Sequence, residues 1–290
     1  MESPPTHLRK FLAGTLAGFL VCAILQWSGA YGLGWKSSKT ESNYFTSLSR
    51  FQAAASGAPA EFTLVGSSIS GRLPGKEVGN SKVANLGTDG GCLTDGMRML
   101  VEGRVKAGKW IVLESNTIER AVKYEASPIL KAVGGPVFRA GTHLPVFSYQ
   151  ARPSGMLYDR LLKRPAGDTT TRRFPLARTT LPKGIQPRDA LEKKTLDELI
   201  RMIAMLRESG SRIILVEYPS APMRPEGREV TDRATAYVAE MADVPFVNLE
   251  QQIPHENLQF TDGVHLAPGS ARAVLDSLQE FITTLPSSQP

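Results

Sequence analysis

The chain has 290 residues, of which 41% are hydrophobic and 21% charged. These proportions exclude a disordered chain and a multi-span membrane protein, and the length allows one large domain or two small ones. Two cysteines exclude a disulfide scaffold and a Cys-rich zinc site, while a formal charge of +6 gives mild attraction to anionic polymers or membranes without marking a nucleic-acid reader.

Residues 1–35 read as a short tail and a membrane anchor. Arg9 and Lys10 precede an uncharged run from Phe11 to Trp35 that is long enough to cross a bilayer as a helix. Trp27, Tyr31 and Trp35 gather at its far end, where an aromatic belt sits. A secretory signal peptide cut after Ala30 is the competing reading. The run exceeds the apolar core of such a peptide, which favours an uncleaved signal anchor. Lys36 and Lys39 beyond the run weaken the positive-inside bias of Arg9 and Lys10. A short basic tail ahead of one span stays in the cytoplasm as a rule, so the rest of the chain is expected outside the cytoplasmic (inner) membrane, in the periplasm.

Residues 36–60 read as a polar stalk with a short helix around Ser47–Ala55. Strand and helix patterns then alternate. Strands are expected at Glu61–Gly66, Lys82–Gly87, Trp110–Ser115, Arg212–Pro219 and Val244–Glu250. Between the second and third, the segment from Gly90 to Lys109 carries a helix. A capping box at Thr195–Glu198 predicts a helix start there, with Leu196, Leu199, Ile200, Ile203 and Leu206 on its buried stripe. Helices are also expected over Thr231–Ala242 and from Pro268 onward. This alternation predicts a three-layer α/β/α fold with a mainly parallel sheet over residues 61–290, preceded by one transmembrane helix. An irregular basic insertion, about 134–190, interrupts it. Nine basic residues between Arg152 and Arg188 face only Asp159 and Asp168. The insertion is either a solvated loop or a dock for an anionic glycan, lipid headgroup or protein.

Four histidines narrow the search for chemistry. His265 stands three residues after Asp262 in a loop following the last strand, at the sheet edge where parallel α/β folds bind ligands. The carboxylate can fix the imidazole tautomer there. Taken alone, the pair also suits a helix-capping Asp beside a surface His. The first strand runs into Gly66-Ser67-Ser68-Ile69-Ser70-Gly71, a turn able to present a serine hydroxyl, and it lacks the lysine and spacing of a P-loop. The second strand ends near Gly87, whose N–H can face an oxyanion or simply serve a flexible turn. The third ends near Asn116, an amide donor or a helix N-cap.

In this order, at four strand ends, these signals resemble the SGNH (GDSL-like) hydrolase superfamily. Gly66-Ser67-Ser68-Ile69-Ser70 matches its Gly-Asp-Ser-Leu-Ser block, Gly87 its second block, Asn116 its third, and Asp262 with His265 its Asp-x-x-His block. Ser67 stands for the usual Asp, Glu114 for a Gly and Thr117 for an Asp. Glu114 adds negative charge near an oxyanion hole unless it points away. The resemblance implies catalysis by Ser68, His265 and Asp262, with an oxyanion hole formed by the N–H groups of Ser68 and Gly87 and the Asn116 amide. It implies no cofactor and no metal. The implied activity is that of a membrane-anchored O-acyl esterase or O-acyltransferase on an envelope or secreted polysaccharide. A membrane-bound O-acyltransferase or a polysaccharide synthase is the partner this suggests, and nucleic acid is not. A non-catalytic SGNH-fold scaffold of a polysaccharide export complex is the alternative.

Overall fold

The computed structural model describes residues 6–29, 37, 39–123, 127–161, 172–220 and 225–285. Five strands form one sheet: β1 (Phe62–Gly66), β2 (Val83–Gly87), β3 (Trp110–Glu114), β4 (Arg212–Glu217) and β5 (Phe246–Asn248). Their order is β2-β1-β3-β4-β5 and every pairing is parallel. All five expected strands are present; the first four are one or two residues shorter than the runs that predict them, and β5 spans only Phe246–Asn248 of the expected Val244–Glu250.

Alternate strand residues enter two separate cores. Val65, Leu86, Ile111, Leu113 and Leu215 pack with α2 (Asn43–Ala55), α4 (Leu93–Val101), α8 (Ala190–Glu208) and α9 (Pro225–Met241). Leu64, Val83, Val112, Ile214 and Val216 pack with α10 (Leu249–Gln252) and α11 (Pro268–Thr284). Burial on both faces explains why the strands read as continuous apolar runs. Each fully buried Leu or Ile in them contributes roughly 1.5–3 kcal/mol.

The sheet order creates a switch point. From β1 the chain leaves to one side for β2, then returns past β1 to β3. A crevice therefore opens at the carboxyl ends of β1 and β3, where such sheets bind ligands. Val65 pairs with Leu113, so Gly66 and Glu114 stand level at that crevice.

Three sequence expectations need correction. Residues 36–60 are not simply a stalk. Ser42 caps α2 through Phe45 N–H at 3.2 Å, and Leu48 and Phe51 are fully buried. Arg50 forms a buried ion pair with Asp89 at 2.6 Å. The helix starting near Thr195 begins earlier, at Ala190, because Asp189 accepts Glu192 N–H at 2.8 Å and the Glu192 carboxylate accepts Arg188 N–H. That upstream reciprocal cap satisfies the free N–H groups before Thr195 is reached. After α5 (Pro128–Ala132), the insertion is partly helical, with α6 (Pro136–His143) and α7 (Pro153–Leu161). Residues 162–171 of it, and Tyr31, Trp35 and Lys36 of the anchor region, lie outside the described residues.

Helix α1 (Thr6–Trp27) buries none of its residues in the protein. At 1.5 Å per residue it extends about 33 Å, which matches a hydrocarbon core of roughly 30 Å. It is long and apolar enough to cross a membrane. Near its end, Gln26 Nε2 donates to the carbonyls of Val146 at 2.8 Å and Ala151 at 3.1 Å.

Candidate active site

Strand β1 delivers the chain into a single helical turn, α3 (Ser68–Gly71). Ser67 caps it by accepting Ile69 N–H at 3.1 Å. Ser68 is its first residue, above the crevice between β1 and β3. The Ser68 Oγ lies 2.9 Å from His265 Nε2.

The loop after β5 supplies the other two groups. Asp262 Oδ1 accepts the N–H of Val264 at 3.1 Å and of His265 at 2.9 Å, around Gly263 at φ +79°. This tight turn folds the His265 ring back onto its own Asp, with Nδ1 2.7 Å from Asp262 Oδ2. A carboxylate only accepts, so Nδ1 carries the proton and Nε2 is left to accept from the Ser68 hydroxyl. The three residues expected to carry catalysis thus form one hydrogen-bonded chain. Burial pushes the Asp262 carboxyl up, but the His265 ring and the two backbone N–H groups outweigh it and hold the group at about 2.

That shift has a testable sign. The contribution of Asp262 to stability is complete above its ordinary value of 3.8 and is lost as pH falls through about 2. The side chain is 52% exposed, which limits the effect to roughly 0–1 kcal/mol. Thermal melting of the wild type and Asp262→Asn is expected to show a gap that closes between about pH 4 and pH 2. An unchanged gap at pH 2 contradicts this account.

Glu114 points under the serine turn. Its carboxylate accepts Ser67 N–H at 2.9 Å, Ser67 Oγ at 2.5 Å, Ser70 N–H at 2.9 Å, the Ser70 hydroxyl, and Thr117 Oγ1 at 3.1 Å. The residue is fully buried. Five donors from three residues therefore clamp the turn on the side away from the Ser68 hydroxyl. Gly66 is required beside it, because a Cβ there would strike the Ser70 hydroxyl and the Glu114 side chain. Asn85 holds the other end of α3, donating to Ser70 O at 2.9 Å and Leu73 O at 2.7 Å. Sequence reasoning missed Asn85, and its place near the end of β2 was the available signal.

The two distal oxyanion donors are differently employed. Gly87 N–H donates to Asn85 Oδ1 at 2.8 Å. Gly87 serves close packing instead, since a Cβ on it would sit 2.6 Å from Gly71 Cα and 2.8 Å from Ser67 O. Gly87→Ala is expected to destabilise the fold by roughly 1–3 kcal/mol, read by denaturant unfolding. A neutral substitution contradicts the packing account. The Asn116 amide donates to Tyr218 O and accepts Tyr218 N–H, both at 2.8 Å. It extends the β3–β4 ladder by one side-chain rung, after Ser115 N–H to Val216 O at 2.8 Å. The amide is directed at β4. Two other N–H groups, those of Ser68 and of Gly90 in the loop after β2, have no hydrogen-bond partner among the described residues.

The remaining electrostatics tie the segment before α2 to the site. Burial lowers the Lys39 ammonium and Arg72 adds to this, whereas Asp89 and Asp262 raise it. His255 is paired with Glu250 at 3.0 Å and takes no part in the Ser68 chain. No family model matches this chain, and no curated protein matches it.

Proposed function

We propose that this chain is a membrane-anchored serine O-acyl esterase or O-acyltransferase of the SGNH type, acting on acyl groups, most simply acetyl, of an envelope or secreted polysaccharide. The observation that carries the reading is the unbroken chain Ser68–His265–Asp262 at the β1/β3 switch point. The two core clusters on alternate strand residues support a three-layer α/β/α arrangement.

In this mechanism Ser68 Oγ attacks the acyl carbonyl while His265 Nε2 takes its proton. Asp262 keeps the ring oriented and stabilises the imidazolium. The tetrahedral oxyanion is held first by Ser68 N–H, with Gly90 N–H as the second free donor on this edge. One such donor contributes about 10²–10³-fold in rate. Collapse breaks the C–O bond to the leaving alcohol, which takes the proton from His265. Water or a sugar hydroxyl then gives its proton to His265, attacks the Ser68 acyl ester and frees the serine. The open surroundings of Asp262 suit a polymer better than a small enclosed substrate. Helix α1 is long and apolar enough for a single span, and we place that span in the cytoplasmic membrane with the body on its outer face.

One observation favours a second reading, a non-catalytic scaffold in polysaccharide export: the Gly87 N–H and Asn116 amide are both engaged by the protein itself. Full-length protein in detergent, given a small acetyl ester with and without an oligosaccharide acceptor, separates the readings. Turnover without acceptor defines an esterase, and acetylated sugar defines a transferase. Absence of both, together with full cellular function of Ser68→Ala, supports the scaffold.

A further inference from the structure

We propose that the helical insertion is a second membrane contact. In this arrangement α6, α7 and the turns between them lie on the bilayer surface beside α1 and bury Val137, Leu144, Phe147, Leu157 and Leu161 at the headgroup level. This rests on the reading of α1 as a bilayer span.

Three observations carry it. Outside α1, half of the exposed large apolar side chains among the described residues fall between 137 and 161. Leu157 and Leu161 are 61% and 72% exposed, and Phe147 is 53% exposed. Water is a poor surrounding for such a cluster, and grouped exposure of this kind marks an interaction face.

The second observation is position. Gln26 is one residue from the end of α1, and it bonds the carbonyls of Val146 and Ala151, on the turns that join α6 to α7. A glutamine this close to the end of a span sits at the interface, so the turn carrying Phe147 sits there too. The exposed apolar residues then continue the apolar surface of α1 at its exit, and lipid is the occupant that shares both.

The third observation is rigidity and charge. Gln52 of α2 donates to Phe138 O at 2.8 Å and accepts Tyr149 N–H at 2.7 Å. Phe138 is buried beneath. The inner side of the insertion is thereby fastened to the body, and its outer residues are held outward. From Ser127 to Leu161 the charged residues are Lys131, Arg139, Arg152 and Arg160 against Asp159 alone. That balance suits anionic headgroups, and a surface helix of this kind sits about 5–10 Å into the headgroup boundary.

The test places a nitroxide on single cysteines in the full chain, with Cys22 changed to Ala and the buried Cys92 retained. The sites are Phe147→Cys, Leu157→Cys, Leu20→Cys within α1, and Lys194→Cys on the exposed side of α8. Each protein is reconstituted into vesicles of phosphatidylcholine and phosphatidylglycerol. Collision with oxygen is compared with collision with a water-soluble nickel chelate. The expected result is an oxygen-rich, nickel-poor environment at 147 and 157, intermediate between Leu20 and Lys194. If 147 and 157 match Lys194 while Leu20 reads as membrane-embedded, the second contact is overturned and the anchor stands. If both relaxants are excluded at 147 and 157, a protein covers this face and the lipid assignment is overturned. An aqueous reading at Leu20 overturns the span itself, and the proposal with it.

Discussion

Ser68→Ala is expected to lower ester turnover by about 10⁴–10⁶-fold, as loss of the nucleophile does when a serine, a histidine and an aspartate act as one unit. The same unit predicts non-additivity. His265→Ala should cost about as much, and the double variant little more than either single one. The fold should be almost unaffected. Among the described residues the Ser68 hydroxyl bonds only His265, and the side chain is half-buried at the crevice, so the change in stability should stay within about 0.5 kcal/mol. Steady-state kinetics with a small acetyl ester, alongside denaturant unfolding, reads both quantities. Turnover that survives in Ser68→Ala places the chemistry elsewhere.

Glu114→Ala is expected to have the largest effect on stability of any single change near the site, roughly 3–5 kcal/mol. The Glu114 carboxylate satisfies two N–H groups and three hydroxyls in a buried space. Removing it leaves those donors unpaired, and leaving buried donors unmade costs more than the bonds themselves contribute. Glu114→Gln can keep its one acceptor oxygen at the Oε2 position, facing the Ser67 and Ser70 N–H groups, while its NH₂ takes the Oε1 position and reverses the bonds to the Ser67 and Thr117 hydroxyls. It should therefore fall between wild type and Ala. The serine turn loosens in both variants, so kcat should fall while the KM for a small ester changes little. Unfolding curves and kinetics of the three proteins check this ordering. A loss below about 1 kcal/mol in Glu114→Ala contradicts the clamp.

The contrast between Ser68 and Glu114 shows what could be read from the sequence. Of the hydrogen-bonded chain Ser68–His265–Asp262, the Asp262–His265 half was legible because its geometry is local, whereas Ser68 lies 197 residues away in sequence. Asp262 and His265 meet inside one tight turn, and Ser68 follows directly on a strand. The five strands were legible because both faces are buried, so most of their residues are apolar; the polar exceptions, among them Asn85, Glu114, Glu217 and Asn248, fall within or at the ends of the strands. Helix α2 was not fully legible, because its polar residues find buried partners far along the chain. Arg50 meets Asp89, and Gln52 meets Phe138 and Tyr149. A stretch that reads as a polar stalk with a short helix around Ser47–Ala55 therefore carries a longer helix, Asn43–Ala55, that is packed into the body.

Two of the three expected oxyanion donors, Gly87 and Asn116, are engaged within the fold for a related reason. Whether an N–H or amide is free depends on its tertiary neighbours. Asn85 takes the Gly87 N–H, and Tyr218, 102 residues beyond Asn116, takes the Asn116 amide. Glu114 was identified as an unwelcome charge unless it pointed away from the oxyanion hole. It points under the turn, at Ser67, Ser70 and Thr117, where the carboxylate organises the segment that carries Ser68.

The most direct test of the account is covalent. Full-length protein in detergent, shown to be folded by a cooperative melt, is treated with a fluorophosphonate, and its peptides are mapped by mass spectrometry. The predicted result is one phosphonyl adduct on Ser68, formed with loss of fluoride and abolished in His265→Ala. No adduct in the folded protein, or an adduct on another residue with Ser68 unmodified, contradicts the assignment of Ser68 as an activated nucleophile.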